Sequence, residues 1–362
     1  MASTFLIPGA QPGTRTVREL IGDVRGGASS TRPVSADLRS DDVDHLAEMM
    51  RPWPRTFVQI DRGRLHAELS FTWLGPVSLL WERTDAGLAV AGAPLAGTRS
   101  FSVATAAQRP PWFCSRPVPS RAIAVTQPRQ EWHGRWTAGL AFVNTVVDVD
   151  ALAACAERMQ MLDPSVHLHE TAVLSAPGLA ARLVDLHRRA LRDRSALVAP
   201  NPRRMLATEV LVRIIEGVAQ AADVSDRLPP SPVRSRALTR ALAYARETAP
   251  DLLTVPDLCD AARVSARTLE YAFRERFGVT PVRFLKLHRL NAAHGALRRA
   301  SRDDTVSGVA LRFGFGDFGH FARDYRDLFD QLPSETLRGG RPPRLVDSPL
   351  GRLAAACGAD LS

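Results

Sequence analysis

Arg267, Glu270, Tyr271 and Arg274 recur at helical spacing, so a helix through them sets two guanidiniums, a carboxylate and a phenol on one face. Groups of this kind recognise hydrogen-bonding edges. An Arg takes either a guanine edge or a phosphate, and Glu270 either accepts from a cytosine amino group or pairs with Arg274 four residues on. Other chemistry has weaker support. His167 and His169 would share one face of a strand with Glu170 opposite, a spacing that matches no metal-binding motif, and His66 and His133 stand alone. Ser115 and Ser120 sit in no nucleophile elbow, and no pair of carboxylates is evident. Cys114, Cys155, Cys259 and Cys357 are scattered without a CxxC pair, which fits a reducing compartment and no zinc site. The sequence therefore signals no catalysis, metal or cofactor.

The elements that must position the Arg267 face are two modules of one kind joined by a long helix. The first runs from Leu253 to Pro281 and the second from Asp304 to Pro333. Each has a Thr suited to an N-cap, a short helix with an Ala near its end, a tight turn and a second helix. Large apolar residues fall four apart on each second helix: Leu269, Phe273 and Phe277, then Phe321, Tyr325 and Phe329. That stripe faces the short helix and leaves the other side polar, the outline of a helix-turn-helix. Ser265 caps the first reading helix, Gly278 stops it, and Pro281 opens the connecting helix. Phe284, Leu287, Leu290 and Leu297 form the inner stripe of that connector, with Arg289 at its edge, free to hold a carboxylate or phosphate. Its length of roughly 25–30 Å would separate two reading helices by about one turn of duplex.

Charge agrees with this placement. Between Ser231 and Arg344 there are 20 Arg and Lys against 13 Asp and Glu, whereas the rest of the chain carries 27 against 25. An excess concentrated at the modules favours a polyanionic partner.

Residues 1–50 read as an arm containing one short helix, DDVDHLAEMM. From Arg51 to about Asp148, runs such as RTFVQI, VSLLWERT, RSFSVATA and GLAFVNTVV alternate with Gly and Pro turns, the pattern of a small barrel or sandwich. All six Trp lie there. Aromatic rings with a polar edge wall an organic ligand as readily as they fill a core. Trp73, Trp81, Trp132 and Trp136 are the effector-wall candidates, with Trp132 and Trp136 expected on a polar rim or loop, EWHGRW. Helical periodicity follows. In its longest run Leu206, Val210, Ile214 and Val218 form a stripe, widened by Leu211 and Ile215, that either closes the barrel or pairs with a second copy. DVSDRLPPSPV reads as a stiff linker.

VSARTLEYAFRERFGVTPVRFLKLHRL and ALRFGFGDFGHFARDYRDLFDQLPSE together resemble the DNA-binding domain of the AraC/XylS family of bacterial transcription regulators, over about residues 234–340. The resemblance implies base-reading positions at Arg267, Glu270 and Tyr271, and at Phe318, Gly319, His320 and Arg323, with Arg289 as the family's linker Arg. Gly308, Gly319 and Asp330 depart from the pattern, which points to stricter base reading by the first module. The strand-rich part is similar, more loosely, to the cupin-like sensor domains of such regulators. That implies a small-molecule effector, dimerising helices and contact with RNA polymerase.

The resulting expectation is an α+β chain of two domains. Residues 1–50 form the arm, 51–222 a β-barrel effector and oligomerisation domain with packing helices, and 223–233 a linker. Residues 234–340 form an all-α double helix-turn-helix, and 341–362 a flexible tail. The expected activity is that of a cytoplasmic, effector-responsive and dimeric activator, not an enzyme, binding two adjacent major grooves per protomer. Two alternatives stand beside it: a barrel enzyme with a nucleic-acid- or partner-binding tail, and a ligand-independent DNA binder. No apolar run reaches the roughly 20 residues that span a bilayer.

Overall fold

The computed structural model describes residues 35–50, 53, 55–114, 116–128, 130–164, 168, 172–222, 232–301 and 303–339, with backbone alone at 172, 222 and 232–235. The arm before Ser35, His167, His169, Glu170, Ser115, most of the expected linker and the tail lie outside the described residues.

Two antiparallel sheets face each other in the N-terminal half. The larger has the order β1-β3-β4-β11-β6-β9-β12, built from Ser35–Ser40, Ala67–Trp73, Val77–Thr84, Leu140–Asp148, Thr98–Ala106, Ala122–Val125 and Ala172–Ser175. The smaller has the order β2-β5-β10-β7-β8, built from Arg55–Gln59, Leu88–Gly92, Trp132–Trp136, Trp112–Phe113 and Arg116–Pro117. The expected barrel is thus a two-sheet structure and not one closed cylinder. With only two residues each, β7 and β8 are too short to carry pairing across to the other sheet. Residues of the expected arm also join this domain: β1 pairs with β3, and helix α1 (Val43–Met49) buries Val43, Leu46 and Met49 in the inter-sheet core.

Strand β11 explains the layering. Every residue of LAFVNTVVD is buried, because alternate side chains serve two cores. Phe142 faces the second sheet, while Val143 and Val147 pack with helices α2 (Val149–Arg158), α3 (Pro177–Arg192) and α4 (Pro200–Ala222). The α4 stripe from Leu206 to Val218 is buried in this same core, so the chain's own sheet covers it and not a second copy.

The C-terminal half is helical: α5 (Pro232–Glu247), α6 (Val255–Ala262), α7 (Ala266–Phe277), α8 (Pro281–Arg298), α9 (Val306–Arg312), α10 (Phe318–Phe329) and α11 (Pro333–Arg338). Local chemistry sets the boundaries. Thr254 and Asp257 form a capping box, Ser265 accepts from Thr268 N–H, Thr280 from Arg283 N–H, and Thr305 from Gly308 N–H. Helix α7 ends at Gly278 with φ 69°, where an added Cβ would also lie 2.7 Å from Arg135 of β10. Leu269, Phe273, Phe277, Phe321, Tyr325 and Phe329 are all buried in one core centred on α8. Val58 and Ala89 of the smaller sheet, and Ile60 just after β2, belong to that core, so the two halves share an apolar contact.

Candidate nucleic-acid interface

Helix α7 buries Leu269, Ala272, Phe273, Arg276 and Phe277, which leaves its opposite face pointing outward. Arg267, Glu270, Tyr271 and Arg274 are all exposed, Tyr271 to 53%. The Arg267 guanidinium lies 5.8 Å from the Tyr271 ring centre, a cation–π contact that stiffens a long side chain. Glu270 pairs with Arg274 at 2.9 Å, one of the two roles its spacing allowed. Both side chains remain half solvated, so the pair is weak and free to open towards a base edge.

Helix α10 presents the corresponding surface. Phe318 is 43% exposed, and Gly319, His320 and Arg323 are exposed beside it, while Phe321 and Tyr325 are buried behind. Asp317 caps the helix by accepting from His320 N–H at 2.8 Å, and its other oxygen meets His320 Nδ1 at 2.7 Å. These bonds hold the Asp317 carboxyl below its usual range, and the His320 ring is held at the first turn of α10. The two reading surfaces therefore differ. The first offers three charged groups and a phenol, and the second offers an aromatic ring, an imidazole and one Arg.

Arg289 does not join either surface. Its guanidinium donates to Pro250 O at 3.1 Å and Leu253 O at 2.8 Å, which ties the segment before α6 to the connecting helix. Sequence reasoning put Arg289 on the DNA. A long side chain at the margin of an amphipathic helix reaches inward to buried carbonyls as readily as outward.

Trp132 and Trp136, expected on a polar rim, lie within β10, and with Trp53 and Trp112 they line the space between the sheets, about 70 Å³. The segment looked polar because strand alternation sends His133 and Arg135 to the opposite face, towards the helical half. Trp81 packs instead on the helix side of its sheet, and Trp73 ends β3 with Arg203 5.5 Å over its ring, so neither lines the space. The polar lining is made of paired neutral groups: Ser100 with Thr126 at 2.9 Å, and Ser102 donating to Asn144 at 3.1 Å. Arg55 reaches the wall near Trp132 and Trp136, with Nη1 2.6 Å from buried Glu82. Burial raises the Glu82 carboxyl and Arg55 lowers it, with burial the larger effect.

The sequence reading missed the residues that join the halves. Asn291 of α8 copies a strand edge: Gln59 N–H donates to its Oδ1 at 3.0 Å and its Nδ2 donates to Gln59 O at 3.2 Å. Gln59 Nε2 and Gly63 N–H both donate to Leu328 O in α10, at 2.8 and 3.1 Å. Buried Asp42 meets His294 Nε2 and lies 3.5 Å from Arg298 Nε. Burial opposes ionisation of Asp42, but His294 and Arg298 outweigh it and hold the carboxyl at about 2. From α7, buried Arg276 lies 5.7 Å from the ring centre of Trp112, a wall of the inter-sheet space. The available signal was polar Asn291 and His294 lying among the apolar core positions of α8, since a polar side chain there needs a partner.

A family model described as a helix-turn-helix domain matches residues 258–339. The probable thc operon regulatory protein of Rhodococcus erythropolis is 33% identical over 37% of this chain and 42% of its own length. XylDLEGF operon transcriptional activator 2 of Pseudomonas putida is 26% identical over 39% of this chain and 85% of its own length. Among solved structures, a probable AraC family transcriptional regulator from Rhodopseudomonas palustris CGA009 is 38% identical, covering 29% of this chain and 98% of that one, with a TM-score of 0.28. The chain thus spans less than half the length of the Rhodococcus relative.

Proposed function

Because the chain belongs, through its C-terminal domain, to the AraC/XylS family of DNA-binding transcriptional regulators, we propose that the whole protein is a sequence-specific regulator of transcription. One observation carries this reading. Two helices, α7 and α10, each bury one face in a common core and leave Arg267, Tyr271, Phe318 and Arg323 exposed on the other. In this reading they enter successive major grooves, with α8, about 27 Å long by its rise per residue, as the spacer. The name of the Pseudomonas relative favours activation over repression.

The N-terminal domain would be the effector and dimer domain, extended from the expected 51–222 to include Ser35–Met50. Its inter-sheet space is the effector site in this reading. Arg55 there is engaged by Glu82, and the other polar lining is hydroxyl and amide, which suits recognition and not acid–base catalysis. Trp112, with Arg276 of α7 across its ring, gives an effector a direct route to the first reading helix. A homodimer, RNA polymerase as partner and a cytoplasmic location complete the proposal. Among the described residues no helix is long and apolar enough to cross a membrane.

The test is selection of duplex DNA by the full-length protein at about 150 mM salt, where sequence-independent phosphate binding is weakened. Enrichment of two short elements about one helical turn apart is expected, lost in Arg267→Ala and Arg323→Ala. Binding that is salt-sensitive but blind to sequence would overturn the reading.

A further inference from the structure

Helix α10 is capped at its C-terminal end by the other half of the molecule. The last carbonyls of an α-helix have no donor within it. At α7 the chain meets that need locally: Gly278 turns left-handed at little cost, and its N–H donates to Arg274 O at 3.0 Å. At α10 the left-handed position falls on Asp330, φ 52°, where a side chain carries a steric cost that glycine avoids. Asp330 N–H serves Arg326 O at 2.8 Å. Leu328 O takes its donors from across the join, Gln59 Nε2 at 2.8 Å and Gly63 N–H at 3.1 Å.

Gln59 is held firmly for this task. It ends β2, is 1% exposed, and its Nε2 also lies 3.0 Å from Asp61 O and 2.6 Å from Gly63 O, so the following turn encloses the amide. That turn is fixed on the smaller sheet. Ile60 and Asp61 N–H both donate to Gly87 O, at 3.0 and 3.3 Å. Gly63, at φ 113°, has a backbone that suits glycine. The Gln59 backbone meanwhile exchanges two hydrogen bonds with Asn291, whose Nδ2 also donates to Leu287 O at 2.8 Å. One residue of the sheet thus joins α8 to the end of α10.

The cap lies close to the reading surface. By the rise per residue, Leu328 is about 8 Å along the helix axis from Arg323. Behind that surface α10 rests on buried Phe321, Tyr325 and Phe329, and Lys286 of α8 lies 2.5 Å from Asp324. Freeing the C-terminal end lets the helix tilt on this stripe. A base-edge hydrogen bond tolerates a change of only about half an ångström, so a small tilt breaks it. Helix α7 meets the sheet elsewhere, through Arg276 and Trp112, so the Gln59 contact acts on one reading surface alone.

We propose that Gln59 is a positioning residue for DNA reading: its amide caps α10 from the neighbouring domain and fixes how that helix meets its groove. Base preference at the second DNA element then depends on Gln59, and preference at the first does not. This rests on the reading of α7 and α10 as helices that enter successive grooves.

The experiment uses the full chain, the duplex that the wild type enriches, and versions of it with either element scrambled. Gln59→Met keeps the length and volume of the side chain without its donor. Discrimination between the intact and scrambled second element should fall by about fivefold to tenfold, the size of one lost base contact, with the first element unaffected. Amide exchange in the variant should quicken at Gly63 and not at Gly278. Gly217→Ala, at the α3–α4 crossing beyond the larger sheet, controls for lowered stability and should keep both preferences. Where Gln59→Met does not fold, Gly63→Ala decides: its methyl meets nothing within 4 Å, yet it strains the turn that presents the second donor. The proposal is overturned if the deciding variant keeps its second-element discrimination, if it loses both elements equally, or if Gly217→Ala shows the same selective loss. A wild type that discriminates at fewer than two elements defeats the two-groove reading and the proposal with it. A wild type that reads both, beside a variant that also reads both, defeats the proposal alone.

Discussion

Arg289 illustrates how a residue that favours a polyanion by type can serve the fold by position. Both of its hydrogen bonds go to carbonyls before α6, Pro250 O and Leu253 O, which no helix partner satisfies. Removing the guanidinium leaves those carbonyls short of donors, and charged donors of this kind contribute about 1.5–3 kcal/mol. Arg289→Ala should therefore lower the unfolding free energy by about 2 kcal/mol in urea titrations, with the DNA sequence preference unchanged at temperatures where the protein is folded. A changed base preference with undiminished stability would return Arg289 to the DNA surface. Arg267 and Tyr271 are the opposite case: they are exposed, contact each other and bury nothing, so their substitution should act on DNA and hardly on stability.

At the scale of elements, the helical half was legible because its signals are local. Caps at Thr254, Ser265, Thr280 and Thr305, the left-handed Gly278 and the four-residue apolar spacing each act within one or two turns. The sheets were legible as strands of a barrel or sandwich but not in their pairing, because partners such as β4 with β11 lie far apart in sequence. EWHGRW misled for a similar reason: its polar residues face the other domain, and nothing within six residues announces that domain. The α4 stripe left two covers open, and the partner is the chain's own sheet. Gly217 makes that helix packing testable. An added Cβ there would lie 2.7 Å from Leu179 Cβ and 2.9 Å from both Leu179 Cδ atoms, at the crossing of α3 and α4. In a lone helix Gly→Ala stabilises by up to about 1 kcal/mol. Here overpacking at about 1–3 kcal/mol should reverse the sign, giving Gly217→Ala a lower urea midpoint. A higher midpoint would mean the two helices move apart freely.

The whole molecule is a stack of helices, sheet, sheet and DNA-binding helices, and its deepest titratable groups lie at the joins. Burial pushes His133, His187 and His288 each down to about 4, with Arg276 adding to the effect at His133 and Arg289 at His288. His133 and His288 lie between the two halves, and His187 joins α3 to β11 through Asn144 O. A His whose folded value is depressed binds its proton more readily when unfolded. Its stability contribution is complete above the ordinary value of 6.5 and declines as pH falls from there to about 4. Asp42 behaves differently, since its value falls from 3.8 to about 2. Its contribution survives that whole interval and is lost only between those two values. Stability should thus drop by several kcal/mol between pH 7 and pH 5, measured as urea midpoints at fixed salt. His288→Phe removes one proton-binding group without emptying its position, so it should flatten the slope by roughly a third. A slope the variant leaves untouched would mean that the join opens to water before its histidine titrates, and that the two halves of the molecule separate under mild acid while each stays folded.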